Sequence, residues 1–376
     1  MKVVIAIDSF KGCISSEQAG AAVKKGILKA HPDTEVIVKP VSDGGEGLTN
    51  ALISNLECEK VTVLVSDPLN RKINASYGIN PSKKLAVMEM ASAAGLPLLA
   101  ENERDPMNTT TYGVGEMIVD ALNRGCRDFI IGIGGSATND GGIGMLKALG
   151  YEFYGNDGKP VSIYGKGLEN IVLIDDRNVI SELKDCHFRI ACDVKNPLYG
   201  DKGCSAVFGP QKGLHPDDVI KMDSWLEKFA DLTEKKYPDA DRNYPGSGAA
   251  GGLGFAFRSF LNAELVPGIE LMIRASGLEK EIENADVVVT GEGCLDDQSL
   301  MGKVPAGIAA AAKKYNKTVI AFAGMLKVTD NSLKSCGIDA CFSVLRKPMS
   351  LEEAMNPETT QKNLELTSEQ VFRLIK

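Results

Sequence analysis

Three short stretches of the chain combine a carboxylate, glycine and a polar or cationic neighbour. They are Asp8-Ser9-Phe10-Lys11-Gly12, Ser42-Asp43-Gly44-Gly45-Glu46-Gly47 and Thr290-Gly291-Glu292-Gly293-Cys294-Leu295-Asp296-Asp297. Carboxylates of this kind hold hard cations or take protons, lysine neutralises phosphate, and glycine lets backbone amides approach an anion. Plain turns use the same residue types. Each stretch, however, follows an apolar run, and three such loops on one sheet edge are what the carboxyl ends of parallel strands present to a ligand.

A fourth stretch, Phe129-Ile-Ile-Gly132-Ile-Gly134-Gly135-Ser136-Ala137-Thr138-Asn139-Asp140-Gly141-Gly142, leads from a strand through small residues into the helical Met145–Leu149. Such a loop can aim several N–H groups at a phosphate. Gly132-x-Gly134-x-x-Ala137, with Glu152 beyond it, fits a relaxed dinucleotide fingerprint, but that fingerprint belongs at the first βα turn of its domain, and this one lies deep in the chain. Gly246-Ser-Gly248-Ala-Ala-Gly251 has the same spacing with no strand before it. Asp193, in Ala191-Cys-Asp-Val-Lys-Asn-Pro197 ahead of Phe208-Gly-Pro-Gln-Lys-Gly213, suits a magnesium ligand, a group that orients a hydroxyl, or a strand-end cap.

Absent motifs narrow the chemistry. No G-x-x-x-x-G-K-[ST] occurs, since Gly302-Lys303-Val304 lacks both the earlier glycine and the hydroxyl, and neither H-R-D nor D-F-G is present. His31, His187 and His215 stand in unrelated contexts, which disfavours a histidine-dependent hydrolase or a zinc enzyme.

The elements that must position these groups follow from periodicity. Val3–Ile7 is a β-branched run; Ser15-x-x-Gln18 reads as a capping box opening a helix with a stripe of Ala19, Ala22, Val23, Ile27 and Ala30; Glu35–Val38 resumes as a strand. This βαβ opening predicts a parallel sheet covered on both faces. The C-terminal quarter repeats the pattern with strands at 286–290, 318–323 and 338–344 and an Ala-rich helix from Pro305 to Tyr315. Between them, Val61–Val65 and Ile73–Ile79 alternate like antiparallel strands around Asp67-Pro68-Leu69-Asn70. A helix from Gly113 buries Val114, Met117, Ile118, Ala121 and Leu122, a strand covers 129–133, and a helix after Pro216 is expected to bury Val219, Ile220, Trp225, Leu226, Phe229 and Leu232. The fold class expected is α/β, a parallel-sheet domain interrupted by an inserted mixed α/β domain.

Composition agrees with this frame. The 376 residues carry 42 basic and 50 acidic side chains, net −8, with 44% apolar content and no long basic block, so nucleic acid is not an expected partner. The nine cysteines include no C-x-x-C pair and read as reduced thiols. No apolar stretch reaches the length of a membrane span, and the run after Lys2 is short for a signal peptide. The cytoplasm is the expected location, with no membrane association; the sequence is silent on oligomeric state.

The residues also match a family along almost the whole chain. Asp8-Ser-Phe-Lys-Gly12, Pro40-Val-Ser-Asp-Gly-Gly-Glu-Gly47, Asp67-Pro-Leu-Asn-Arg71, Glu89-Met-Ala91, the 132–142 loop, Cys192–Pro197, Phe208–Gly213, Gly246–Gly252 and Thr290–Gly293 through Asp297-Gln298 occur in one order. In these motifs the chain resembles the bacterial type-1 glycerate kinases. It departs from them at Cys13, where serine is expected, and at Asn70, where glycine is expected; both are turn positions.

The resemblance implies ATP-dependent phosphorylation of D-glycerate to 2-phospho-D-glycerate with Mg2+. The motifs constrain phosphoryl transfer more tightly than the acceptor, so another small hydroxy acid, or the 3-phospho product, stays open. It further implies a Rossmann- or flavodoxin-like domain of residues 1–60 and 285–376, an insert of 61–284, and an active site in the cleft between them. The expected catalytic set is Asp193, Asp43, Lys11 and Asp8, with Asp193 or Asp43 as the base. Arg71 and Ser9 are expected to bind substrate, Arg71 by its planar fork. Gly134, Gly135, Ser136, Gly291, Gly293 and Lys303 are expected at nucleotide or phosphate, and Asp296 and Asp297 at the metal. Phosphoryl transfer needs a positioned acceptor, neutralised phosphate charge and excluded water, and these residue types supply the first two. A metabolite sensor without turnover would have lost Asp or Lys from these loops, and none is lost.

Overall fold

A computed structural model of the chain describes residues 1–42, 47–297 and 299–375, apart from the side chains of Met301 and Asp330. The expected base Asp43 lies outside the described residues. In chain order the strands are β1 (Lys2–Ile5), β2 (Glu35–Val38), β3 (Glu59–Ser66), β4 (Lys72–Asn80), β5 (Leu85–Glu89), β6 (Asp128–Gly132), β7 (Glu152–Tyr154), β8 (Leu173–Asp175), β9 (His187–Ala191), β10 (Glu264–Val266), β11 (Val287–Leu295), β12 (Thr318–Leu326) and β13 (Ala340–Ser343).

The chain divides into two compact units, the first of Met1–Asp43, Asn50–Glu57 and Pro267–Lys376, the second of Gly44–Thr49 and Cys58–Val266. Residues 267–284, which the sequence assigned to the insert, group with the first unit: the helices Gly268–Ser276 and Leu278–Glu283 pack against the helix Val304–Lys313.

In the first unit β13, β12, β11, β1 and β2 lie side by side in that order and all run parallel. Read outward from β2, this is the doubly wound order of flavodoxin-like sheets, in which successive crossovers change direction between the first and third strands, here β1 and β11. Val3, Val4 and Ile5 are fully buried, as a central strand covered on both faces requires. The helix Ser16–Ala30 starts at the expected capping box, with Ser15 accepting from Gln18 and Gln18 reaching back to the Ser15 amide. The Ser16 hydroxyl donates to Ile7 O and accepts from Val41 N, which ties together the chain segments that follow β1 and β2.

In the second unit the order is β10-β9-β6-β5-β4-β3. The first four of these strands are parallel, whereas β4 pairs antiparallel with both β5 and β3. Strand β3 therefore runs in the same direction as β5, β6 and β9. A small antiparallel pair, β7 with β8, stands apart.

The helix Tyr112–Asn123 buries the stripe expected of it. The helix Pro216–Lys236 departs from its expected stripe at one residue, because Ile220 is 76% exposed. The buried face is set by Met222, Trp225, Leu226, Phe229, Ala230 and Thr233, and at about 100° per residue Ile220 points some 150° away from it, roughly. Within the core Phe129 stacks on Phe188 at 4.7 Å, and Phe229 stacks on Phe260. No helix among the described residues is long and apolar enough to cross a membrane.

Candidate active site

In the first unit the loop after β1, the carboxyl ends of β11 and β12, the segment after β13 and the helices Leu351–Ala354 and Pro357–Phe372 line a cavity of about 340 Å3. It therefore lies at the carboxyl end of the parallel sheet and takes in the β1–β11 switch point, the place where open α/β sheets bind ligands. Its lining mixes the apolar side chains of Phe10, Val344, Leu351 and Met355 with Lys11, Glu292, Asp296 and Lys303. Apolar side chains and cations in one lining suit a ligand with a flat apolar part and an anionic part.

Asp8 is buried and its carboxylate accepts the Ser9 amide at 2.7 Å, so it shapes the loop from which Ser9 and Lys11 reach the cavity. Lys303 sits at the N-cap of the helix Val304–Lys313 and also lines the cavity. Asp296 Oδ1 accepts the Ser299 amide and hydroxyl at 3.0 and 3.1 Å. Asp297 is exposed and outside the lining. Gly293 lines the cavity, whereas Gly291 is held in the sheet: a Cβ there would stand 1.9 Å from Phe322 O.

Glu292 was not singled out from the sequence as a site residue. It is 9% exposed, it lines the cavity, and its Oε1 has no hydrogen-bond partner. Burial pushes its carboxyl above the ordinary range, against the opposing pull of Ser299, Lys303 and Lys11. The signal available was an acid set between two glycines inside an otherwise apolar strand.

In the second unit the register aligns Glu89 with Gly132 and Gly132 with Ala191, so the segments after β5, β6 and β9 leave one sheet edge together. Gly134, Gly135, Ser136 and Asp193 are thus neighbours in the topology. The turn after β3, which holds Arg71, emerges at the same edge. In that turn the buried Asp67 carboxylate accepts the amides of Leu69 and Arg71, both at 2.8 Å, and Asn70 takes the left-handed conformation (φ 64°) for which glycine or asparagine is suited. The Arg71 guanidinium is engaged within the protein: Nε donates to Asp67 at 2.5 Å and Nη1 to Glu103 at 2.7 Å.

Lys212, within the Phe208–Gly213 segment, is 2% exposed. Its Nζ donates to Ser136 Oγ at 2.7 Å and to Thr138 O at 2.6 Å. Burial pushes the ammonium down to about 8, partly offset by Cys204 and Asp140. No periodicity in Phe208–Gly213 announces a buried lysine. Asp140, also fully buried, accepts from Thr111 N and Oγ1 and from the amides of Gly142 and Gly144, fixing the start of the helix Ile143–Ala148.

The family model for the glycerate kinase family matches residues 3–376. The chain belongs to the glycerate kinase family. It is 45% identical over 354 residues to glycerate 2-kinase of Escherichia coli K12, spanning 94% of this chain and 93% of that protein. The glycerate kinase of Haemophilus influenzae Rd is 40% identical over 375 residues, spanning 100% and 99%. A crystal structure described as glycerate kinase 2 from Salmonella typhimurium LT2 superposes with a TM-score of 0.91 at 41% identity, covering 100% of this chain and 98% of that one. The α/β fold class and the family resemblance read from the motifs are both borne out.

Proposed function

We propose that the chain transfers the γ-phosphoryl group of ATP to the 2-hydroxyl of D-glycerate, with Mg2+, in the cytoplasm. The observation that carries this reading is the cavity at the carboxyl end of the first unit's sheet, whose lining includes Lys11, Lys303, Asp296 and the buried Glu292. Nine free cysteines accord with a reducing compartment.

In this reading the apolar side chains of the cavity take the adenine, and the two lysines meet phosphate oxygens. Glu292 and Asp296 suit a hard divalent cation, which is bound by oxygen ligands and completes its shell from phosphate and water. Bound there, the ion would draw charge from the phosphates as the bridging bond to ADP breaks. Asp193 takes the acceptor's hydroxyl proton while the alkoxide oxygen forms its bond to the γ-phosphorus, and ADP leaves with the electrons of the bridging bond.

The test is ADP release with D-glycerate, lactate and other small hydroxy acids as acceptors, together with 31P NMR of the product. Turnover confined to D-glycerate with a 2-phosphoglycerate signal is expected. Equal rates on all acceptors would defeat the substrate assignment, and a 3-phosphoglycerate signal would move the reacting hydroxyl.

A further inference from the structure

Resting on the kinase reading above, we propose that Ser136, backed by the buried Lys212, binds the carboxylate of the hydroxy-acid acceptor. A lysine with 2% exposure is costly to keep charged unless its ammonium is compensated. The hydrogen-bond partners of Lys212 are neutral, a hydroxyl and a carbonyl, and no carboxylate lies within ion-pair distance of it among the described residues. The buried Asp140 carboxylate offsets this charge only through space, its oxygens being held by Thr111, Gly142 and Gly144, so the ammonium's own hydrogen bonds go to Ser136 and Thr138 on the loop after β6.

The hydrogen-bond polarity carries that charge outward. An ammonium only donates, so Ser136 Oγ accepts at 2.7 Å and its own hydrogen must point elsewhere. Ser136 is half-buried, and Gly134 and Gly135 before it are exposed, so the hydroxyl has an open approach. A polarised hydroxyl donor over a buried ammonium selects a ligand that only accepts, an anion.

Two observations favour a carboxylate over a phosphate. The fork of Arg71, the residue expected to hold the carboxylate, is already engaged by Asp67 and Glu103. The cations suited to nucleotide phosphates, Lys11 and Lys303, line the cavity of the first unit. Ser136 is then the substrate-touching group and Lys212 a positioning residue that acts through it.

The experiment is calorimetric titration of the full-length wild type, Lys212→Met and Ser136→Ala with D-glycerate, D-glyceramide and inorganic phosphate, alongside steady-state kinetics. Lys212→Met is expected to bind D-glycerate about 30-fold more weakly or worse, and Ser136→Ala about 5- to 10-fold more weakly. The uncharged amide should bind weakly to all three proteins, and KM for ATP should stay near wild type while KM for glycerate rises. If Lys212→Met does not melt cooperatively, Ser136→Ala alone decides. A folded variant that binds D-glycerate within about threefold of wild type overturns the proposal. So does a Lys212 dependence seen with phosphate but not with glycerate, and so does a wild type that binds no glycerate. Absent turnover with intact, Lys212-dependent glycerate binding would instead remove the kinase reading and leave the subsite standing.

Discussion

The amide of Asp8 donates to the carbonyl of Gly291 at 2.9 Å, joining the segment after β1 to β11 beside the cavity. This bond extends the parallel pairing of Val3–Ile5 with Val287–Val289 beyond the regular strand, so the two loops that carry Lys11 and Glu292 depart from a fixed common base. Positions of this kind tolerate little change, and Gly291 is the most constrained of them.

Gly291→Ala is expected to lower stability by about 3 kcal/mol or more. The added methyl would lie 1.9 Å from Phe322 O and 2.9 Å from its carbonyl carbon, at a backbone φ of +154° that other residues rarely adopt. Urea unfolding monitored by circular dichroism reads the loss directly. A variant with the wild-type midpoint but weakened nucleotide binding would return Gly291 to the phosphate-binding role expected from the sequence.

Glu292→Gln preserves shape and removes a buried charge. Because burial holds the Glu292 carboxyl above its ordinary range, the ionised form weakens the fold at neutral pH, and the amide should leave the melting temperature unchanged or higher. Turnover should fall by about 100-fold, since Glu292 lines the same cavity as Lys11 and Lys303. Thermal melts and kcat on the same preparation separate the two effects, and undiminished kcat would exclude Glu292 from the reaction.

What could be read in advance depended on how locally each feature is encoded. The βαβ opening was legible because an apolar run, a capping box and a proline stop occur within one turn of chain logic, and the β3–β4 hairpin because Asp67-Pro-Leu-Asn70 interrupts strict alternation. Ile220 was misjudged because apolar character near a helix start does not say which face is covered. The type of Arg71 was informative, but its partner Glu103 lies 32 residues on, beyond any local pattern. Lys212 shows the same limit: its sequence neighbours are ordinary, and only tertiary packing buries its ammonium against Ser136.

Asp140→Asn tests the protonation of a fully buried acid. Burial raises the Asp140 carboxyl, yet Oδ2 accepts from Thr111 N and Oγ1 at 2.8 Å and Gly144 N at 3.3 Å, and Oδ1 accepts from Gly142 N at 3.1 Å. Donors on both oxygens favour the carboxylate. An amide nitrogen at either position would face an N–H, so the variant is expected to lose about 2–4 kcal/mol by urea titration. An unchanged midpoint would mean that Asp140 carries its proton in the fold.

Lys212 makes stability and binding respond to pH in opposite directions. Its ammonium is pushed down to about 8 in the folded protein from the ordinary 10.5, so between these values the unfolded chain keeps a proton that the native protein has released. Stability attributable to Lys212 must therefore rise with pH across that window, by at most about 1.4 kcal/mol per unit, and be at its lowest below 8. Anion affinity should fall over the same range, because the deprotonated amine no longer supplies charge to Ser136. Asp140 and Cys204 also bear on this ammonium, so the quantity to follow is the difference between wild type and Lys212→Met. Denaturation midpoints and D-glycerate affinities at pH 7, 8, 9 and 10 should diverge between the two proteins below 8 and converge above it. Parallel curves would show that Lys212 keeps its proton throughout and that its burial is compensated by something other than a bound anion.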